Sequence, residues 1–327
     1  MGTRSIQARA PVTAHPIRPY VAELKAKRET VAQTLDALRM EFAELRRELF
    51  EAAQMQRMMS GPRQLRRGEF EIAAEIFPIR HLSGDFVSVS DCGSKMTLAV
   101  GDIEGKGLRA GLWFTHLLGL TRRYAECETD PGKALSELNR DICMAQTRPP
   151  LTSLFLAELD WTDGTLMYSN AGHPAPILLR ADDSIQSLTT GGPVLCAVPG
   201  AEFESETIEF RSGEMLIGYS DGLLECANED REEFGAQRVI DEARKLRQES
   251  VTEILFSIIG AAQDFAATQL YFPDEPFWPA FDVAGVSPEF LSVFIQENGA
   301  RECFHIELLR QRDVCFQHVF RHLRSLR

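Results

Sequence analysis

Apolar residues near the front of the chain fall at Val21, Leu24, Val31, Leu35, Leu38, Phe42, Leu45 and Leu49, followed by Ala52 or Ala53. Their steps of three, seven, four, three, four, three and four form a heptad seam, with Glu, Lys and Arg on the other faces. The pattern predicts one uninterrupted helix that Gly61-Pro62 stops, about 39 residues long and on the order of 58 Å from end to end. A rod this long with a single apolar stripe is expected to pair with a second copy as a parallel coiled coil, giving a homodimer. Residues 1–20, with Pro11, Pro16 and Pro19, read as a flexible tail. They leave no room for a sensor, so a signal is expected to come from an activator protein bound to the helix.

Beyond the helix the period changes. Residues 69–76 alternate like a half-buried strand, and 154–159 are expected to pair with 166–168 across the Asp163-Gly164 turn. Helical spacing returns over 108–124, 131–144 and 232–247. Strands joined by tight turns, with the helices in separate runs, predict an α+β domain of antiparallel sheets flanked by helices, not a parallel βαβ array.

Three acidic-glycine signatures punctuate this pattern: Gly84-Asp85-Phe86, the run from Gly101 to Gly107, and Tyr219-Ser220-Asp221-Gly222. Singly, such pairs are ordinary turn chemistry. Together they suggest more, because an ionised Asp beside a Gly at a strand end offers a hard oxygen ligand on backbone able to bend sharply. That chemistry suits Mg2+ or Mn2+ and not zinc. The glycines at 101, 105 and 107 lie between an apolar run and a helix, as in a phosphate-cradling loop. The Gly-Lys-Ser/Thr ending of a nucleotide P-loop is missing, which argues against that reading.

With two further segments, Ser169-Asn170-Ala171-Gly172-His173-Pro174-Ala175-Pro176 and Gly218 to Glu225, the chain resembles the PPM class of metal-dependent serine/threonine protein phosphatases. The resemblance is to the bacterial branch of stage II sporulation protein E and the sigma-B regulator phosphatases, and it spans about residues 68–265. It implies two stacked antiparallel sheets between helical layers. It also implies two ions, Mn2+ or Mg2+, held by Asp85, Asp102, the main-chain carbonyl of Ile103, and Asp221, with Asp102 in the bridging place. Water held between the ions would become a hydroxide that attacks phosphorus in line. His173 would stand beside the metals or transfer a proton. The implied substrate is a phosphorylated regulatory protein similar to an anti-sigma-factor antagonist, in a partner-switching pathway.

One family feature is missing. Relatives end the domain with Asp-Asp-x-Thr opening a last apolar strand, and one of those aspartates completes the site. Asp264, Asp274 and Asp282 are the candidate substitutes, with Asp282 favoured because an apolar stretch follows it. No Lys occurs after Lys245, and from residue 290 onward six arginines face four acidic residues. The end of the chain therefore reads as an added regulatory segment, a diverged domain end or a change of reading frame. The resulting division is a tail (1–20), a helical linker (21–60), a phosphatase-like domain (68–285) and an atypical C-terminal segment (286–327). A catalytically impaired binding or scaffold module is the alternative to an enzyme.

Composition sets the outer limits. At 327 residues the chain can bury a full core. A net charge of −13 argues against nucleic acid or an anionic membrane as the main partner. No apolar run reaches transmembrane length and no signal peptide is evident, so a cytoplasmic location is expected. The seven cysteines are scattered without CxxC spacing, as free thiols in a reducing compartment would be.

Overall fold

The computed structural model describes residues 17–77, 82–144, 148–266 and 290–297. Its elements run α1 (Ile17–Met59), β1 (Gln64–Arg67), β2 (Phe70–Phe77), β3 (Phe86–Cys92), β4 (Lys95–Ile103), α2 (Leu108–Cys127) and α3 (Pro131–Met144). There follow β5 (Thr152–Asp160), β6 (Thr165–Ala171), β7 (Ile177–Leu179), β8 (Ile185–Ser187), β9 (Gly191–Gly192), β10 (Glu206–Glu209) and β11 (Met215–Tyr219). The last are α4 (Asp221–Leu224), α5 (Gly235–Lys245), α6 (Val251–Phe265) and β12 (Phe290–Glu297).

Two sheets form, in the orders β1-β2-β12-β11-β7-β8 and β10-β6-β5-β4-β3. All their pairs are antiparallel except a two-residue parallel contact between β6 and β9, which the sequence pattern did not anticipate. The hairpin expected across Asp163-Gly164 forms, with Leu159 opposite Leu166. Phe290–Glu297, placed by the sequence reading in the atypical segment, pairs with β2 on one side and β11 on the other.

Strand period two sorts the apolar side chains into layers. Ile72, Ala74 and Ile76 of β2, Leu216 of β11, Met96, Leu98 and Val100 of β4, and Phe155, Ala157 and Leu159 of β5 share the core between the sheets. The opposite faces pack outward. Ile177, Met215, Ile217 and Tyr219 meet α5 and α6, whereas Phe86, Ala99, Leu154 and Leu156 meet Phe114, Leu118 and Leu135 of α2 and α3. Because helices cover both outer faces, strands such as β4 are apolar on both sides and read almost continuously hydrophobic. At the start of α6, Ser250 and Glu253 form a reciprocal capping box, a device worth about 1 kcal/mol.

Helix α1 has 43 residues, or on the order of 65 Å. Its seam stays open to solvent, with Val31 66% and Phe42 62% exposed. Among the described residues, its last turns are where it meets the sandwich. There Arg57, joined by Arg63 from the segment between α1 and β1, pairs with Glu75 of β2, and Arg122 of α2 donates to the Met59 carbonyl and to Ser88 Oγ. No described helix is long and apolar enough to cross a membrane.

Candidate metal centre

Strand register gathers the signatures at one end of the sandwich. Phe86 lies opposite Gly101 in the β3–β4 ladder, so Asp85, just before β3, and Asp102, near the end of β4, share an edge. Gly101 is required there, since a Cβ on it would lie 2.5 Å from the Phe86 ring. Gly84 is packed still more tellingly. A Cβ at this position would sit 2.5 Å from the Ile103 carbonyl oxygen and 3.1 Å from Asp102 Oδ1. The bare backbone of the Gly84-Asp85 turn therefore lies directly against two oxygens that the sequence marks as ligands. The Ile103 amide donates back to the Gly84 carbonyl at 3.3 Å.

Asp221 arrives from the other sheet. It follows β11 as the first residue of α4, with Ser220 as the N-cap. Ser220 is fully buried, and its hydroxyl donates to Asp85 Oδ2 at 3.2 Å. This bond ties the Asp221 turn to the Asp85 turn across 135 residues of sequence. Asp85 is 3% exposed, Asp102 is half-buried and Asp221 is exposed, so the carboxylates grade from the interior to solvent. Asp282 lies outside the described residues.

His173 is as deeply buried as Asp85. It follows β6 and is 4% exposed. Its Nδ1 shares a 2.8 Å hydrogen bond with Ser153 Oγ, its amide donates to Asn170 Oδ1 at 2.7 Å, and its carbonyl accepts from Asn170 Nδ2 at 3.0 Å. Ser153 is the cross-strand neighbour of Asp102. Nε2 is buried without a hydrogen-bond partner among the described residues. Burial pushes the imidazole pKa down to about 4, and the nearby Tyr219 backbone opposes this only in part. The ring is therefore neutral at physiological pH.

Glu104 does not turn toward the carboxylates. It is exposed, its Oε2 accepts from the Leu151 amide at 3.2 Å, and its own amide donates to the Leu151 carbonyl at 2.9 Å. Among the described residues no three His, Cys, Asp or Glu side chains group closely enough to ligate an ion alone. What lies along one edge is the Gly84-Asp85 turn packed against Asp102 Oδ1 and the Ile103 carbonyl, with the turn that carries Asp221 tied to Asp85 through Ser220. This all-oxygen set, without thiolate or imidazole, fits a hard dication that keeps water among its ligands. Ser220, Ser153 and Ser83 were not singled out from sequence. Ser220 alone carried a local signal, as a Ser placed where a helix cap belongs.

The sequence profile of the Stage II sporulation protein E (SpoIIE) family matches residues 93–271. Protein IcfG of Synechocystis is 25% identical over 201 residues, covering 53% of this chain and 32% of that protein. The phosphoserine phosphatase RsbU of Bacillus subtilis is 23% identical over 236 residues, covering 71% of this chain and 70% of that protein. Among solved structures, the SiaA-PP2C domain of Pseudomonas aeruginosa superposes with a TM-score of 0.62 at 16% identity, over 78% of this chain and 97% of that one. The chain thus spans about a third of IcfG and most of RsbU.

Proposed function

From the premise that this chain belongs to the stage II sporulation protein E family, we propose that it is a metal-dependent phosphatase acting on phosphoserine or phosphothreonine of a protein. The observation that carries the reading is the packing of Gly84-Asp85 against Asp102 Oδ1 and the Ile103 carbonyl, with Asp221 tethered through Ser220. Asp85, Asp102, the Ile103 carbonyl and Asp221 would hold Mn2+ or Mg2+. Bound ions supply an acidified water and positive charge for the phosphoryl oxygens.

The chain's own residues then have separable tasks. Asp102, half-buried at the strand end, would be a ligand from the β4 side. The Ser220 hydroxyl donates to Asp85 Oδ2 and so fixes that carboxylate, which would be a ligand from the β3 side. Buried, neutral His173 holds Ser153 beside Asp102 and is better placed to orient the strand than to exchange protons with solvent. Asp282 would be a further ligand.

The substrate is a small phosphorylated regulator of the anti-sigma-factor-antagonist kind; similarity to the phosphoserine phosphatase RsbU supports a phosphoserine as the group cleaved, and the kind of regulator rests on the family resemblance of the sequence. The chain works in the cytoplasm as a homodimer joined through the α1 seam, to which an activator protein binds. The sequence lacks Asp-Asp-x-Thr, and this favours a second reading, a catalytically impaired module that binds a partner without turnover.

Hydrolysis of para-nitrophenyl phosphate under graded Mn2+ separates the two. The enzyme reading expects turnover that rises with Mn2+ and disappears in Asp102→Asn and Asp221→Asn. No turnover at millimolar metal supports the binding module.

A further inference from the structure

The end of α1 reaches the metal edge through one side chain. Gln56, part-buried on the last turn, donates from Nε2 to the Ser83 carbonyl at 2.8 Å, and the Ser83 amide donates back to Gln56 Oε1 at 3.2 Å. A carboxamide carries the same donor and acceptor as a peptide group, so the two bonds fix Ser83 much as a neighbouring strand would. Ser83 is 2% exposed, and its hydroxyl accepts from the Asp85 amide at 3.1 Å. The next residue, Gly84, is the one seated against Asp102 Oδ1 and the Ile103 carbonyl. A continuous path of short contacts thus runs from α1 through Ser83 to Asp85.

We infer that Gln56 is a positioning residue for the metal centre, holding the Ser83-Gly84-Asp85 turn where its carboxylate can meet the ion. The inference rests on the proposed metal-dependent reading and adds to it that the last turns of α1 belong to the site. A turn that is competent only part of the time binds its ligand more weakly in proportion, so loosening the clamp lowers metal affinity. By reciprocity, the ion tightens the docking of α1. Neither Glu nor Ala can reproduce this pairing. Glu would set a carboxylate oxygen against the Ser83 carbonyl, and Ala would leave both Ser83 backbone groups without this partner.

The test uses the full chain and Mn2+ alone, with calorimetric titration as the readout. Gln56→Ala and Gln56→Glu should weaken Mn2+ binding by at least about tenfold, the usual effect of removing a group that orients a ligand. Arg57→Ala, on the same turn, breaks only the contact with Glu75 and should change affinity less than about threefold. Saturating Mn2+ should restore phosphatase turnover to the Gln56 variants. In the unaltered chain, Mn2+ should slow amide exchange across residues 54–60, a readout that needs no variant to fold. Unchanged Mn2+ affinity in both Gln56 variants, or exchange at 54–60 indifferent to Mn2+ that is bound, overturns the inference. Absence of Mn2+ binding to the unaltered chain overturns the metal-dependent reading and the inference with it.

Discussion

The two sheets share one alternation of side chains but are assembled across very different spans of sequence. In the sheet ending at β3, the β3–β4 and β5–β6 pairs are hairpins, and the one long connection between neighbours in the β3–β6 run is the helical pair α2–α3. In the other sheet, β2 and β11 are bridged by β12, which comes from far down the chain. The candidate metal edge draws on both. Asp85 and Asp102 are set by a local ladder, whereas Asp221 follows β11, whose partner β12 stands last in the element order. The difference teaches that carboxylates so unlike in origin need a tie of their own, and Ser220 provides it.

The sharpest way to break the comparison is at the local ladder. Asp102→Asn should cut phosphatase turnover about a thousandfold, roughly 4 kcal/mol of transition-state stabilisation, while thermal unfolding stays near that of the unaltered chain. Equal loss of fold and activity would show that the ladder needs this carboxylate for structure.

The long-range sheet should fail in the opposite manner. Phe294 lies between Ala73 and Ile217 in the ladders, so Phe294→Pro should destabilise the domain by about 3 kcal/mol or more. Urea denaturation measures this, and an unchanged midpoint would mean that β12 contributes little to the sheet.

Acid offers a third probe. The unfolded His173 titrates near 6.5 and the folded ring near 4, so between those values the unfolded chain binds the extra proton and stability rises with pH. The contribution is complete above pH 6.5 and lost as pH falls toward 4, by on the order of 2–3 kcal/mol. Denaturation curves at pH 7 and pH 4.5 should diverge by less in His173→Gln than in the unaltered chain.

A smaller effect is expected from Gly84→Ala. The added methyl must displace the Ile103 carbonyl, which should weaken Mn2+ binding about tenfold, near 1.4 kcal/mol. The smallest concerns α1. Leu38→Glu lies on the exposed seam and should change sandwich stability by less than about 0.5 kcal/mol, yet convert the proposed dimer to a monomer in sedimentation velocity. Identical sedimentation of both chains as monomers would end the coiled-coil proposal.

The uneven legibility of the sequence has the same root as the contrast between the sheets. The Asp163-Gly164 hairpin, the helix over 131–144 and the end of α1 before Gly61-Pro62 could be read because each rests on signals within one or two turns of chain. The Asp85 and Asp102 signatures were visible for a similar reason, lying at the ends of strands that pair as neighbours. The place of Phe290–Glu297 was not visible, since periodicity within a segment carries no information about a partner more than 200 residues away. Gln56 was hidden for another reason. A polar residue on a long polar helix looks like solvated surface until the turn it clamps is brought beside it.

The central place of β12 also governs the order of events at the ribosome. Strand β2 emerges early but gains its inner neighbour only after roughly 220 further residues have been synthesised. Until then one whole row of its main-chain donors and acceptors, flanked by Ile72 and Ile76, stays unsatisfied while the hairpins of the companion sheet can already close. The nascent protein thus passes through the synthesis of those intervening residues with an adhesive edge exposed, an interval in which chaperone capture competes with misassembly.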